Sequence, residues 1–175
     1  MNPILEAIRD RRSVRRYKPE MVPQAAIDEV IQAGLWAASG RGLQAPIVVA
    51  VTNRDLRDRL SAMNCQIGGW QPDFDPFYGA PVLLIVLAPK SVATGLYDAS
   101  LVLGNMLLAA HSLGLGSCWI HRAREEFASE EGRAILRQLG VSGDYEGVGH
   151  CILGYADVAA SPGAARKEGR VFYAR

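Results

Sequence analysis

The chain has 175 residues, a length that fits one domain with a substantial buried core. Its 19 basic and 18 acidic residues nearly balance, which excludes the strong positive field of a general nucleic-acid-binding protein. The three cysteines, Cys65, Cys118 and Cys151, are odd in number and form no C-x-x-C pair, so we expect neither a disulfide framework nor a structural zinc site.

The first half of the chain alternates between helical and strand patterns. Apolar residues at three-and-four spacing predict helices, and short valine-rich runs predict buried strands. Clustered glycine, proline, aspartate and aromatic residues predict a surface loop. The predicted elements are helices over 4–9, 23–37 and 54–63, strands over 47–52 and 81–88, and a loop over 68–79.

The second half contains a stretch, 99–113, that is apolar nearly all round. This pattern predicts a helix covered on every side, either at the centre of the fold or between subunits. Strands follow over 117–120 and 147–155, with a helix over 126–139 between them and an irregular basic tail from Ala156. Because helices alternate with strands and no linker or repeat is visible, we expect one α/β or α+β domain over residues 1–175.

The sequence carries no pattern typical of secretion or of a membrane span. Its first residues include Glu6 and lack an apolar core, unlike a secretory signal. The longest apolar stretch is shorter than the roughly 20 residues of a transmembrane helix. Together with the cysteine usage, this predicts a cytoplasmic protein without a membrane partner.

An arginine cluster, Arg-Arg-Ser-Val-Arg-Arg-Tyr over 11–17, is the densest local signal. Arginine forks grip phosphate through two parallel hydrogen bonds, and a serine hydroxyl adds another donor. The cluster is therefore a candidate anion clamp. A solvated basic face at a helix end explains the same residues, and a phosphate- or RNA-binding module is a further alternative.

Other polar and aromatic residues have structural as well as functional interpretations. His121 follows a predicted strand and is either a proton donor or an ordinary loop residue, and we favour the loop residue. Asp73 and Asp75 fit turn formation better than acid–base chemistry. His150 and Cys151 point to opposite faces of a strand, so we expect no metal site. An aromatic group in the loop either stacks on a substrate or packs on the domain: Trp70, Phe74, Phe77 and Tyr78.

Several segments together resemble the FMN-dependent nitroreductase family. Residues 11–15 resemble its amino-terminal phosphate-binding motif, and Ala37-Ala38-Ser39-Gly40 with Gln44 resembles the loop after its second helix. Gly79-Ala80-Pro81 is similar to the entry of a central strand, and residues 114–120 to a glycine-flanked strand beside the flavin. The matches near the end of the chain are Gly154-Tyr155 and the basic pair Arg166-Lys167.

The resemblance implies an α+β fold, in which helices flank a mostly antiparallel sheet in three layers, and an intertwined homodimer with two FMN sites. It places Arg11, Ser13, Arg15 and Arg166 at the FMN phosphate, the Ser39–Gly40 loop on the flavin from the second subunit, and the backbone of Ile120 and His121 near flavin N5. The full set of expected cofactor-binding residues is Arg11, Arg12, Ser13, Arg15, Ser39, Gly40, Gln44, Ile120, His121, Arg166 and Lys167.

The implied activity is hydride transfer from NAD(P)H through FMN to a nitroaromatic, quinone or related acceptor. Since FMN carries this chemistry, no catalytic side chain is expected. No G-x-G-x-x-G segment offers a separate nicotinamide fold, so one site would serve both substrates in a ping-pong mechanism. The alternatives are flavin fragmentation or reductive dehalogenation on the same fold, and a flavin-binding sensor or storage protein.

The chain departs from the family pattern in the second loop. Ala38, Gly42, Ala45 and Pro46 stand where the family often has proline, asparagine, proline and tryptophan. Glycine at position 42 leaves the site roomier. Residues 64–79 leave little space for a covering helix, so we expect an open flavin face.

Overall fold

A computed structural model of the chain describes residues 2–159 and 161–175. Within these residues, six helices and four strands alternate, with a short 3₁₀ turn at Gly40–Gly42. The helices are α1 (Pro3–Asp10), α2 (Gln24–Leu35), α3 (Arg54–Gly68), α4 (Gly95–Ser112), α5 (Ala123–Ala128) and α6 (Glu130–Gln138). The strands are β1 (Ile47–Val51), β2 (Val82–Pro89), β3 (Gly116–Ile120) and β4 (Tyr145–Gly154).

The four strands form one sheet in the order β1-β2-β4-β3, and all three neighbouring pairs are antiparallel. The expected antiparallel sheet is therefore confirmed. A bulge interrupts the pairing of β2 with β4, because Val86 pairs with Gly149 while Leu87 pairs with Gly147. Val148 is the extra residue.

The sheet separates two hydrophobic cores. Along β2, Leu83, Ile85 and Leu87 belong to the core beneath α3, α5 and α6. The intervening Val82, Leu84 and Val86 belong to the core beneath α2 and α4. This alternation follows from the two-residue period of a strand, and it gives the expected three layers of helix, sheet and helix.

Helix α4 is only partly covered within the chain. Its residues Leu103 and Met106 are fully buried, whereas its residue Leu101 is 51% exposed. The sequence left open whether the fold or a second subunit covers this helix, and with Leu101 exposed in the single chain, cover by a second subunit stays a prediction. No described helix is long and apolar enough to cross a membrane.

Two predicted helices differ most from the structure in their bounds. The predicted helix over 126–139 is in fact α5 and α6, because Ser129 adopts an extended conformation and caps α6 by accepting from the Gly132 N–H at 2.9 Å. Helix α3 continues past Met63 to Gly68, where Gly69 ends it with a positive φ of 69°. No further helix lies between α3 and β2 in the described chain.

Candidate functional site

The segment after α1 docks along strand β3. The Val14 N–H donates to the Ser117 carbonyl at 3.0 Å, and Ser13 forms a parallel bridge with Ser117. The Tyr17 hydroxyl donates to the Val14 carbonyl at 2.8 Å, and burial raises the pKa of Tyr17. The segment that carries the arginine cluster is thus fixed to the sheet at the start of β3.

The arginine cluster and the carboxy-terminal tail line one cavity of about 710 Å³. Its walls include Arg11, Arg12 and Ser13 on one side and residues 162–166 on the other. The structure therefore brings Arg166 to the cluster across more than 150 positions of sequence. Arg15 and Lys167 are exposed and do not line this cavity.

Two guanidinium atoms in this cavity wall lack partners within the described chain. Arg11 Nη1 and Arg12 Nε are buried but make no hydrogen bond there. The Arg12 guanidinium is nevertheless fixed in place, because its Nη1 donates to the Arg11 carbonyl at 2.8 Å. Gly163 packs so closely on this group that a Cβ would lie 1.9 Å from Arg12 Nη2. Buried donors without acceptors are costly, so the wall is suited to an anion.

The Ser39–Gln44 loop lies at a second place, between the end of α2 and the start of α4. The Ser39 hydroxyl accepts from the Gln44 N–H at 3.0 Å, and the Gly40 N–H donates to Asp98 Oδ1 at 3.0 Å. Thr94 donates to the other oxygen of Asp98 at 3.0 Å. Within one chain this loop lines its own cavity of about 250 Å³, away from the arginine cluster.

Sequence reasoning missed the support beneath this loop. Asp98 is 5% exposed, and a buried carboxylate on a helix gives no local sign that it will bond to a backbone 58 residues away. Arg41 and Gln44 have positive φ angles of 56° and 48°. Such angles are uncommon for residues other than glycine.

The end of β3 and the start of α5 form a corner at residues 120–123. His121 is exposed, and Arg122 has a φ of 81° immediately before α5. Ile120 is half-buried and pairs with His150 across the sheet. Ser117 and Ile120 are three residues apart on one strand, which spans about 10 Å. The corner and the docked arginine segment therefore lie near opposite ends of β3.

A buried polar network, formed by Asn64, Glu126 and His150, supports this corner, and all three side chains are 0% exposed. Asn64 Nδ2 donates to the His121 carbonyl at 2.9 Å and to Glu126 Oε1 at 2.7 Å. His150 Nδ1 lies 3.3 Å from the Ile120 carbonyl. The sequence analysis assigned His150 no function and did not consider Asn64 or Glu126.

Glu126 and His150 face each other in the interior. The Ile120 carbonyl can only accept, so His150 Nδ1 carries a hydrogen. His150 Nε2 and Glu126 Oε2 are 2.7 Å apart. Although the contact is close, its geometry is not that of a hydrogen bond.

The loop before β2 is built on Asp75. Burial alone would raise the pKa of Asp75, but hydrogen bonds from Arg57, Ser61 and the Gly79 N–H outweigh burial and hold it below its ordinary value. Asp75 also accepts from the Phe77 N–H at 2.9 Å, so its interpretation as a turn residue is confirmed.

The four aromatic residues of this loop divide between packing and exposure, and Tyr78 is half-buried against the core. Phe77 is fully buried, and its ring centroid lies 5.1 Å from that of His150. Trp70 and Phe74 are exposed and meet edge to face at 5.3 Å. Packing therefore explains Phe77, whereas the exposed pair remains open to a ligand.

A nitroreductase family model matches residues 8–67 and 69–155. The chain belongs to the nitroreductase family. The match covers the arginine cluster, the Ser39–Gln44 loop and the β3–α5 corner, and it ends before Arg166 and Lys167.

Individual relatives agree with this assignment. The FMN reductase [NAD(P)H] of Bacillus subtilis (strain 168) is 30% identical over 71% of this chain and 56% of its own length. A relative in Methanothermobacter thermautotrophicus, provisionally named NADH dehydrogenase/NAD(P)H nitroreductase, is 34% identical over 66% of this chain and 59% of its own length. The chain thus spans less than three fifths of the length of either relative.

Among solved structures, an FMN-bound nitroreductase from Bacteroides fragilis NCTC 9343 matches over 100% of both chains, with 29% identity and a TM-score of 0.89. The expected α+β nitroreductase-like fold is confirmed.

Proposed function

We propose that this nitroreductase-family chain is an FMN-dependent enzyme that oxidises NADH or NADPH and reduces a nitroaromatic, quinone or related acceptor. The relatives named above are an FMN reductase and a protein provisionally named NADH dehydrogenase/NAD(P)H nitroreductase, and the solved neighbour holds FMN. When bound, FMN would accept hydride from the nicotinamide and supply the electrons for the acceptor. We expect ping-pong kinetics, since one open site would serve both substrates in turn.

The observation that carries the proposal is the cavity shared by the arginine cluster and the tail. Arg11, Arg12 and Arg166 line it together, and two buried guanidinium nitrogens there lack acceptors within the described chain. A phosphate monoester with about two negative charges satisfies such donors. These residues therefore fit the phosphate of FMN, with Ser13 as a hydroxyl donor and with Arg15 and Lys167 adding positive charge nearby.

At the other end of β3, the backbone of Ile120 and His121 would face the flavin ring. Backbone donors suit this place because they orient the hydride-accepting atom without adding a group that titrates. The exposed position of His121 also leaves room for substrate above the ring. We assign no catalytic side chain.

The proposed active form is a homodimer in which the Ser39, Gly40 and Gln44 loop of one subunit covers the flavin of the other. Within one chain this loop and the arginine cluster line separate cavities, which supports completion of the site by a second copy. The exposed side of α4 at Leu101 and the tail residues Phe172 and Tyr173, 90% and 77% exposed, are apolar surfaces of the kind that subunit interfaces cover.

Two measurements test these proposals. We expect the purified protein to bind FMN and to lose its yellow colour when NADH or NADPH is added without oxygen, and then to recover it on addition of an acceptor. Bound FMN that neither nicotinamide reduces would instead indicate a sensor or storage protein. Sedimentation at micromolar concentration should give the mass of a dimer, and a monomer that retains FMN would exclude the two-subunit site.

A further inference from the structure

The buried network at the β3–α5 corner has no part in phosphate binding and touches no solvent. We propose that its three side chains, Asn64, Glu126 and His150, are positioning residues for the flavin. They orient the backbone amides of His121 and Arg122, and through these amides they set the reactivity of the bound FMN. This inference rests on the proposed function, because it requires the flavin to face the corner.

Peptide geometry explains how buried side chains orient amides on the outer side of the corner. In a trans peptide, the carbonyl oxygen and the N–H of the next residue point in opposite directions. Asn64 holds the His121 carbonyl towards the core at 2.9 Å, so the Arg122 N–H points away from Asn64. His150 holds the Ile120 carbonyl at 3.3 Å, and the next N–H likewise points away from the imidazole.

The network joins three separate elements at this point. Asn64 comes from α3, Glu126 from α5 and His150 from β4. Because Glu126 bonds Asn64 through one oxygen and lies 2.7 Å from His150 through the other, the two carbonyl contacts are held as one unit. Helix α5 is also fixed against β4, since a Cβ on Gly147 would lie 2.1 Å from the Ala123 carbonyl.

The backbone that the network holds is strained. Arg122 has a φ of 81°, a left-handed conformation that costs a residue other than glycine free energy. Such conformations persist where the surroundings fix them, and they are concentrated at functional sites. Two carbonyl contacts immediately before Arg122 provide that fixation.

Packing alone does not account for the chemistry of these side chains. Asn64 Oδ1 is buried and makes no hydrogen bond within the described chain. Apolar residues of similar volume would avoid the desolvation of a carboxylate, an imidazole and an amide, and they often leave a protein equally or more stable. Fixing the direction of the backbone groups that they contact is a role that these polar side chains can fill and apolar ones cannot.

The test compares variants within helix α3 and within the network. Asn64→Ala removes the donor to the His121 carbonyl. Ser61→Ala is the matched control, because Ser61 lies one turn earlier on the same helix, is also buried and bonds to Asp75 instead. Glu126→Gln is the conservative variant, since its amide oxygen can accept from Asn64 and its amide nitrogen can donate to His150.

Three quantities are measured for each variant: the rate of FMN reduction by NADH or NADPH in anaerobic stopped flow, the midpoint potential of bound FMN, and the amide NMR signal of Arg122 in the apoprotein. We expect Asn64→Ala to slow reduction by about 10- to 100-fold, the effect of misplacing reacting groups by a fraction of an ångström to one ångström. We also expect it to shift the potential and to move the Arg122 signal.

Ser61→Ala should leave all three quantities at parent values, and Glu126→Gln should stay close to them. If Asn64→Ala does not fold, the double variant Asn64→Leu with Glu126→Leu replaces it, because removing donor and acceptor together costs less stability than leaving one unpaired. The same losses are expected of the double variant.

Four outcomes overturn the inference. Parent rates and an unmoved Arg122 signal in Asn64→Ala, or in the double variant that replaces it, overturn the inference while the proposed function stands. A loss in Ser61→Ala equal to that in Asn64→Ala shows general destabilisation, and an equal loss in Glu126→Gln shows that hydrogen-bond geometry is not what matters. A parent protein that binds no FMN overturns the proposed function itself, and the inference with it.

Discussion

The arginine cluster and the β3–α5 corner lie near opposite ends of strand β3, and they are built in opposite ways. The cluster places partly or fully exposed cations on an irregular segment and closes its cavity with an equally irregular tail. The corner has an exposed outer surface but rests on three polar side chains that no solvent reaches. Substitutions in the arginine cluster can therefore change binding strength without affecting the core. The geometry of the β3–α5 corner cannot change without affecting buried side chains.

The largest effect should come from removing the carboxylate of the corner. Glu126→Ala leaves Asn64 and His150 buried without their partner, which typically costs about 3 to 5 kcal/mol of folding free energy. Urea denaturation of the apoprotein measures the loss. Glu130→Ala on the exposed start of α6 is the control, and its stability should stay close to that of the parent. Equal losses of stability in Glu126→Ala and Glu130→Ala would show that the buried carboxylate contributes no more to folding than an exposed one.

Substitutions in the arginine cluster should weaken the affinity for FMN and hardly change the folding stability of the protein. Arg11→Ala should weaken FMN binding by about 1.5 to 3 kcal/mol, the range for hydrogen bonds to a charged partner, and Arg15→Ala should weaken it less, because Arg15 lies outside the cavity wall. Titration of apoprotein with FMN gives the affinity. Arg54→Ala, an exposed arginine at the start of α3, is the charge-matched control. Unchanged FMN affinity in both cluster variants would remove the assignment of the phosphate site.

His121 lies on the exposed side of the corner, and its side chain should matter little for the reductive step. His121→Ala should keep the rate of FMN reduction by NAD(P)H within about tenfold of the parent, because hydride transfer requires alignment and not a protein acid. A general acid contributes roughly 10²- to 10⁴-fold, so the oxidative half-reaction is measured separately by stopped flow. A hundredfold fall in reduction, with FMN bound and the dimer intact, would make His121 catalytic.

The smallest expected effect is a gain. Arg122→Gly relieves the left-handed strain at φ 81° and should raise the free energy of unfolding by about 1 kcal/mol. Arg122→Ala keeps the strain and should give no such gain. Both variants lose the 3.4 Å contact with Glu125, so their difference isolates the backbone contribution. Thermal unfolding of the two apoproteins side by side measures it.

The difference between the two ends also explains what the sequence could reveal. The arginine cluster is contiguous, so its residue types and spacing are visible as a motif, and the order of the strands and helices follows from hydrophobic period. The corner depends on residues from α3, α5 and β4 that meet only after folding, and each alone is an ordinary polar residue. Asp98 beneath the Ser39–Gln44 loop escaped notice for the same reason.

Helix boundaries were also harder to predict from the sequence than the helices themselves. The break at Ser129 was present in the sequence as a serine followed by two glutamates, a common start of a helix, but the continuous helical spacing on both sides concealed it. Gly132 gives the structural reason, since a Cβ there would lie 2.0 Å from the Glu126 carbonyl. Only the packing of α6 against the end of α5 makes this glycine necessary.

The alternation along β2 has a consequence for how the protein can change over evolutionary time. Neighbouring residues such as Leu84 and Ile85 belong to cores on opposite sides of the sheet. The side with α2 and α4 adjoins the surface that we propose docks a second subunit, and the side with α3 and α5 holds the buried network. Substitutions on the side with α2 and α4 can therefore alter the proposed assembly while the buried network on the other side stays unchanged.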